Sequence, residues 1–419
     1  MGETKVNRYL TLLVLALGAV AIYLLPYLRW TYYDTLLAAV NLSNSQFAAT
    51  MSIFGVTAML FYAPGGYLAD KLSLKKMLTF AFLSTGVLGL WYSTYPGFVW
   101  QMLIFGLWGG IGTAFFWSAM MKITRCLGSS QEQGRMFGLL EGSRGAINVV
   151  IAFAGLYFYG KMGETVGGMT GVIIAFSILC LLSAVLTWFV IPNKVAGATD
   201  TIQLKSIGTV LKIPAVWIIA IIVLSCYSVY IGSTYLTPYM TEILGLSATV
   251  AGAIGIVRSY VMQAVMGPTG GWIADKIGSV TFVIAVCFMI IVVAMTGYVL
   301  IPASPSMAFI SVVLMLMFCV GIFAMRGIYF APMDECKVPK GLTGTAVGVI
   351  SVIGFFPDVY MNTIAGKLMD AYPGVAGYKY LFLVMLGFAL VGLAASMVLN
   401  NRIKKQRKAQ QAASLQKTK

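Results

Sequence analysis

The residues with the clearest chemical potential are six ionisable side chains that fall deep inside long apolar stretches of the sequence. They are four arginines and two carboxylates: Arg29, Arg144, Arg258, Arg326, Glu141 and Asp358. A charged group placed inside a membrane is costly, so it marks a functional site by default. Because guanidinium groups outnumber carboxylates here, and because guanidinium binds anionic groups through paired hydrogen bonds, the set favours recognition of an anion.

Structural interpretations of these charges remain open. Glu141 and Arg144 are three residues apart on one predicted helix and can pair with each other. Arg258 can neutralise Asp358 within the second half of the chain. Arg29 and Arg326 have no obvious partner in their own helices, which makes them the stronger candidates for ligand binding.

Catalytic chemistry and cofactor binding find little support. The chain contains no histidine, so neither a histidine-ligated metal site nor a histidine-based triad can be built. No phosphate-binding G-x-x-x-x-G-K-[ST] loop is present, which excludes an ATP-driven pump within this chain. We expect no cofactor, no metal and no enzymatic activity. A membrane enzyme or scramblase and a transport-inactive sensor are the alternatives from other classes.

The elements that must position these charges are membrane-spanning helices. The chain has 419 residues, of which 59% are hydrophobic and 10% are charged. That charged fraction is too low to cover a soluble protein, which carries roughly 25%. Apolar runs long enough to cross a bilayer recur along the chain. We predict an all-α protein of twelve spans, at about 9–39, 46–69, 76–95, 98–124, 135–160, 166–191, 214–240, 248–272, 280–301, 306–333, 344–370 and 378–400.

The distribution of lysine and arginine predicts the orientation. One set of connections between spans is rich in basic residues and ends in the basic tail 402–419, whereas the alternate set is almost bare. The positive-inside rule therefore predicts that both termini are cytoplasmic. The net charge of +15 is explained by this orientation, and we expect no nucleic-acid partner. The first apolar run is too long for a signal peptide and is predicted to remain as span 1.

The two halves of the sequence repeat each other. "GGYLADKLSLKK" at 65–76 returns as "GGWIADKIGSV" at 270–280, Ser43 aligns with Ser247, and "GKM" after span 5 returns as "GKL" after span 11. We predict a six-helix half at 1–192, a cytoplasmic linker at 193–213, a second half at 214–401 and the tail at 402–419. Paired six-helix repeats are one architecture of secondary transporters.

The repeated motif carries a family resemblance. "GGYLADKLSLKK" resembles the loop 2–3 signature of the major facilitator superfamily, G-x-L-A-D-[RK]-x-G-[RK]-[RK], with Ser73 and Leu74 replacing the usual glycine and basic residue. The second copy lacks the trailing basic pair. The resemblance implies that Asp70 contacts the start of helix 11 in one conformation, and that Asp275 does the same at helix 5. A simple charged turn is the alternative for both.

The same resemblance implies a central cavity lined by helices 1, 4, 7 and 10. Arg29 and Arg326 lie on the first and last of these, and we predict that they clamp one anionic substrate. Aromatic and cationic side chains complete the predicted site, namely Tyr27, Trp117, Tyr227, Tyr230, Arg144 and Arg258. Tyrosines at the bilayer interface or in packing are the alternative.

The substrate class follows from this site. "PYLRWTYY" resembles the helix-1 segment of the organophosphate:phosphate antiporters, although the helix-7 arginine of that group is absent from "SCYSVYIGSTYLTPY". We predict a monomeric secondary transporter of a small organic anion in the bacterial inner membrane, coupled to a proton or a counter-anion. Glu141 and Asp358 are the candidates for proton coupling. The alternative function is a proton-coupled exporter of apolar or cationic compounds.

Overall fold

The computed structural model describes residues 8–127, 133–192, 207–339 and 342–417. Within these ranges, several side chains lie outside the described set, among them those of Asp70, Arg125 and Glu141. The basic residues from 408 onward and most of the predicted linker also fall outside it. No strand occurs in the described ranges, so the predicted all-α class is confirmed.

The described helices follow the twelve predicted spans in order. They are α1 (Arg8–Leu24), α2 (Tyr33–Val40), α3 (Asn44–Lys71), α4 (Leu74–Tyr92), α5 (Phe98–Ile111), α6 (Ser118–Cys126), α7 (Gln133–Lys161), α8 (Val166–Val190), α9 (Ile207–Val210), α10 (Pro214–Gly232), α11 (Leu236–Glu242), α12 (Ala248–Ile256), α13 (Met262–Ile277), α14 (Val280–Leu300), α15 (Ala308–Arg326), α16 (Pro332–Glu335), α17 (Thr343–Gly354), α18 (Pro357–Ala371) and α19 (Val375–Lys417). Among the described residues, nine helical stretches are long and apolar enough to cross a membrane.

Several predicted spans are built from two helices instead of one. The first is interrupted by the 3-10 turn Leu28–Trp30, which follows Pro26. The eleventh breaks between α17 and α18, directly before Pro357. Proline lacks a backbone N–H and clashes with the preceding turn, so an α-helix ends at or near it. In the tenth predicted span, 306–333, the helix α15 ends early, at Arg326. The rest of that span consists of turns and the start of the short α16.

The chain divides into two compact units. Unit 1 comprises Met1–Asp200, Tyr235–Val261 and Asp358–Pro373, and unit 2 comprises Thr201–Thr234, Met262–Pro357 and Gly374–Lys419. These units are not the two sequence halves, because parts of the second half pack with the first in unit 1. The division into sequence halves at the predicted boundaries stays a prediction.

Close helix packing holds each unit together. In unit 1, α4 packs on α8 and α3 packs on α5, and in unit 2, α14 packs on α19 and on α15. A Cβ added at Gly109 of α5 would lie 2.2 Å from the carbonyl oxygen of Phe54 in α3. A Cβ at Gly270 of α13 would lie 2.2 Å from the carbonyl oxygen of Ala324 in α15. Glycine is required at both positions, as at membrane helix contacts generally.

Candidate functional site

Irregular turns carry several of the predicted site residues. Arg29 lies in the 3-10 turn Leu28–Trp30. Trp117 ends the π-helical turn Gly112–Trp117, and Arg258 lies in the π-helical turn Val257–Val261. Single π turns inside helices often occur at functional sites, because they redirect side chains that a regular helix would place elsewhere.

Arg326 is the centre of an aromatic cluster in unit 2. It is the last residue of α15, and its guanidinium carbon lies 3.9 Å from the centroid of the Tyr230 ring. The Tyr227 and Phe323 rings lie 5.8 Å and 5.7 Å from the same atom. Cation–π contacts within about 6 Å are attractive, and most so where the cation is shielded from water. We name these residues, with Phe355, the Arg326 cluster.

The aromatic rings of the Arg326 cluster also contact one another. Tyr227 and Tyr230 are three residues apart on α10, with centroids separated by 5.5 Å. Tyr227 lies 4.9 Å from Phe355, and Tyr230 lies 5.9 Å from Phe323. Tyr230 is buried, whereas Tyr227 is partly exposed. Two tyrosines of one helix thus form a fixed wall beside the guanidinium, with one ring accessible.

The electrostatic balance of the Arg326 cluster is incomplete. Nη1 of Arg326 is buried and has no hydrogen-bond partner among the described residues. The hydroxyls of Tyr230 and Tyr329 interact with the guanidinium, but no described carboxylate forms an ion pair with it. A buried charge without a counter-charge is expensive, and so is a buried donor without an acceptor. The arrangement can therefore bind an anion that accepts a hydrogen bond from Nη1.

Arg29 has the opposite environment, within unit 1. Its Nη1 donates to the carbonyl oxygen of Phe47 at 2.9 Å, and its Nη2 donates to the hydroxyl of Tyr235 at 3.2 Å. The Phe47 ring lies 4.3 Å from the guanidinium carbon, the Tyr33 ring lies at 5.3 Å, and only 3% of the arginine is exposed. The geometry favours a structural role for Arg29 in this conformation.

The remaining predicted residues are distributed over unit 1. Tyr27 stacks on Trp30 at a centroid distance of 4.1 Å, and Trp117 packs against the buried core around α1, α4 and α6. Arg258 is buried at 3% exposure, while Arg144 is partly exposed. Asp358 packs closely against α3 at Gly55. A Cβ added to Gly55 would lie 2.9 Å from the Cβ of Asp358.

The motif carboxylates are described unequally. Asp275 is exposed at the end of α13. The side chains of Asp70 and Glu141 lie outside the described residues. The roles assigned to these three residues, and the pairing of Arg258 with Asp358, stay predictions.

Sequence reasoning missed three members of the Arg326 environment. Phe323 precedes Arg326 by one helical turn and could have been found from that spacing. Tyr329 follows it in a turn, and Phe355 lies on another element just before Pro357. No local pattern connects these last two to the arginine.

Comparison with known proteins decides the family. The family model described as Major Facilitator Superfamily matches residues 10–360. The chain belongs to this superfamily. It is therefore a membrane transporter and not an enzyme, as predicted.

Relatives and solved structures agree with this superfamily assignment. Inner membrane protein YqcE of Escherichia coli (strain K12) is 32% identical over 403 residues, covering 94% of each chain. Inner membrane protein YihN of the same organism is 30% identical over 408 residues, covering 96% of this chain and 97% of that protein.

Two solved structures share the superfamily fold at low identity. A bacterial homolog of the human lysosomal transporter Spinster, inward-facing and occupied, gives a TM-score of 0.77 at 14% identity over 96% of this chain and 98% of that one. A single-residue mutant of the nucleoside transporter NupG gives 0.75 at 15% identity over 94% of this chain and 100% of that one.

Proposed function

We propose that this superfamily member carries a small organic anion across the bacterial inner membrane, with Arg326 as the group that binds the negative charge. The observation that carries the proposal is the buried Nη1 of Arg326, which lacks an acceptor within the described part of the chain. Carboxylate, sugar-acid and phosphorylated substrates all supply the acceptor and the counter-charge.

The aromatic side chains specify what is attached to the anionic group. Tyr227 presents a partly exposed ring 5.8 Å from the guanidinium carbon of Arg326. Tyrosine combines an apolar face with a polar hydroxyl, so it suits a hydroxylated carbon skeleton. We therefore expect the substrate to be a compact hydroxylated anion, bound at one end by Arg326 and along its side by Tyr227.

Transport proceeds in this proposal by alternating access of two six-helix halves, as in parallel-repeat transporters. Exchange against a counter-anion needs no titratable carboxylate in the site. Proton symport needs one, and Asp358 and Glu141 remain the candidates. Asp70 and Asp275 would act on the conformational change and not on the substrate.

A ligand screen tests the substrate class. The purified protein is heated in the presence of organic acids, sugar acids, phosphorylated sugars, neutral sugars and apolar cations in turn. We expect at least one anionic compound to raise the melting temperature in a concentration-dependent manner, because a ligand that binds only the folded state stabilises it. Stabilisation by apolar cations and by no anion would instead support the proton-coupled exporter.

Reporter fusions test the predicted orientation. A reporter that is active only in the cytoplasm should be active when fused after Lys408 and inactive when inserted in "PASPS" at 302–306. The physical reason is the strong excess of lysine and arginine in the connections that are predicted to be cytoplasmic. A reversed signal at either position would contradict the cytoplasmic placement of both termini.

A further inference from the structure

Two short segments at equivalent places in the internal repeat share one spacing. "GKMGE" at 160–164 spans the end of α7, and "GKLMD" at 366–370 lies at the end of α18. Each has a glycine followed four residues later by a carboxylate, Glu164 or Asp370, and the two segments are offset by 206 residues. The superfamily signature at 65–76 does not include these residues.

Glu164 covers the start of α12. Its Oε2 accepts a hydrogen bond from the backbone N–H of Ala248 at 3.1 Å, and its Oε1 accepts one from that of Thr249 at 3.2 Å. The next N–H, that of Val250, donates to the side chain of Ser247 at 3.3 Å. Three of the four donors that a helix start leaves without an internal partner are thus satisfied, two of them by a carboxylate 84 and 85 residues away.

Asp370 covers the start of α3 in the same manner. Its Oδ1 accepts from the backbone N–H of Asn44 at 3.0 Å, and its Oδ2 accepts from that of Ser45 at 2.8 Å. The N–H of Gln46 donates to the side chain of Ser43 at 3.2 Å. We call these two arrangements the Glu164 cap and the Asp370 cap; both lie inside unit 1.

The glycine of each segment permits this close approach. A Cβ on Gly366 would lie 2.6 Å from the Cβ of Ala48 and 2.7 Å from the carbonyl oxygen of Asn44. A Cβ on Gly160 would lie 3.0 Å from Oγ1 of Thr249. In both segments, therefore, the glycine lets the end of one helix approach the start of another. The carboxylate four residues later then accepts hydrogen bonds from the backbone N–H groups of that start.

Both carboxylates are held in unfavourable positions of their own segments. Glu164 has a φ of 57°, in the left-handed region that non-glycine residues seldom occupy. Asp370 lies in the last turn of α18, where the helix dipole disfavours negative charge. A local cost of this kind persists where surrounding interactions compensate it and often accompanies function. The dipole and N–H groups of the other helix supply the compensation here.

We infer that Glu164 and Asp370 form a paired latch between the two sequence halves, which closes one face of the transporter and opens once per transport cycle. Each cap joins a residue of 1–192 to a residue of 214–401. Alternating access requires the halves to separate on each face in turn. The caps lie at the ends of predicted spans 5 and 11, which are both odd-numbered, so the predicted topology puts them on the same face. Separation on this face therefore breaks both caps in one motion. Because carboxylate–backbone bonds are charge-assisted, they stabilise the closed state strongly. When a cap opens, water can solvate both the carboxylate and the N–H groups, so opening remains possible.

Hydrogen–deuterium exchange measures the latch without a substrate. The backbone N–H groups of Asn44 and Ser45 report on one cap, and those of Ala248 and Thr249 report on the other. In Glu164→Gln, the neutral amide weakens only the bonds at α12. If the caps open together, we nevertheless expect exchange to accelerate about tenfold at both helix starts, equivalent to about 1.4 kcal/mol in the opening equilibrium. Asp370→Asn should produce the reciprocal result.

Glu335 supplies a matched control within one sequence half. Its carboxylate accepts from the backbone N–H groups of Val280 and Thr281 at 3.1 Å and 3.0 Å, the same geometry at the start of α14. Both partners lie in 214–401, so Glu335→Gln should accelerate exchange at Val280 and Thr281 and leave both latch segments unchanged.

The outcomes separate a latch from two local helix caps. Faster exchange at α3 in Glu164→Gln, together with unchanged exchange there in Glu335→Gln, supports the latch. Acceleration restricted to the helix whose own cap was altered overturns it. If Glu164→Gln does not fold, Asp370→Asn provides the same test from the other side. The readout needs no ligand, so the latch can fail while the anion proposal stands.

Discussion

Replacing Arg326 with alanine is expected to weaken binding of the transported anion by about 10- to 150-fold, the loss of one charge-assisted hydrogen bond worth roughly 1.5–3 kcal/mol. The change removes the only atom of the cluster that is both buried and without an acceptor in the described part of the chain, Nη1. It also removes a partly buried charge that no described carboxylate neutralises. The removal of this charge offsets the lost cation–π contacts with the Tyr230 and Phe323 rings, so we expect the melting temperature without ligand to change little, while the ligand-induced shift and uptake fall.

Arg326→Lys is the matched variant, because lysine keeps the charge but loses the planar pair of donors. Its binding should also be clearly weaker than that of the wild type. Tyr227→Phe keeps the ring and removes only the hydroxyl, so its effect should be smaller. Wild-type affinity in folded Arg326→Lys and Arg326→Ala would refute the anion site and would strengthen the exporter alternative.

Replacing Arg29 with alanine is expected to destabilise the protein, with the largest loss of stability among the predicted site residues. The change removes the donors at 2.9 Å and 3.2 Å from the carbonyl oxygen of Phe47 and the hydroxyl of Tyr235. These groups keep their bonds to the hydroxyl of Thr50 and the carbonyl oxygen of Asn362. Each lost charge-assisted bond is worth roughly 1.5–3 kcal/mol. It also removes the cation that contacts the rings of Tyr33 and Phe47. The melting temperature in detergent should fall clearly below that of Arg326→Ala.

Ligand affinity in the same variants decides between the two roles of Arg29. If Arg29 and Arg326 clamp one anion, as the sequence predicts, both single variants should weaken binding, and the double variant should lose less than the sum, since one ligand bridges both. If Arg29 is structural, any Arg29→Lys protein that folds should bind the anion with wild-type affinity. An unchanged melting temperature in Arg29→Ala would contradict the structural role.

Much of the fold was predictable from composition and repetition. Long apolar runs with few charges define membrane-spanning helices, because a helix is the structure that satisfies its own backbone in lipid. Pro26 and Pro357 each lie at a break between two helices, whereas Pro64 and Pro268 lie inside continuous ones, so proline marks only some of the interruptions. The π-helical turns at Gly112–Trp117 and Val257–Val261 could not be predicted in this way, because their residue types fit a regular α-helix equally well.

The sequence by itself determined the superfamily, the all-α class and the presence of charges that a bilayer makes expensive. It also selected Arg29 and Arg326 together as candidate anion-binding residues, because a cation within an apolar run can be recognised from its neighbours along the chain. Only the tertiary structure distinguished Arg29 from Arg326. The acceptor for Nη2 of Arg29 is the hydroxyl of Tyr235, 206 residues away. The partners of Asp370 at α3 are 325 and 326 residues away, and the sequence shows only that "GKM" and "GKL" recur. Local pattern records where a charge must be buried, but whether that charge is satisfied depends on the donors and acceptors that distant segments bring to it.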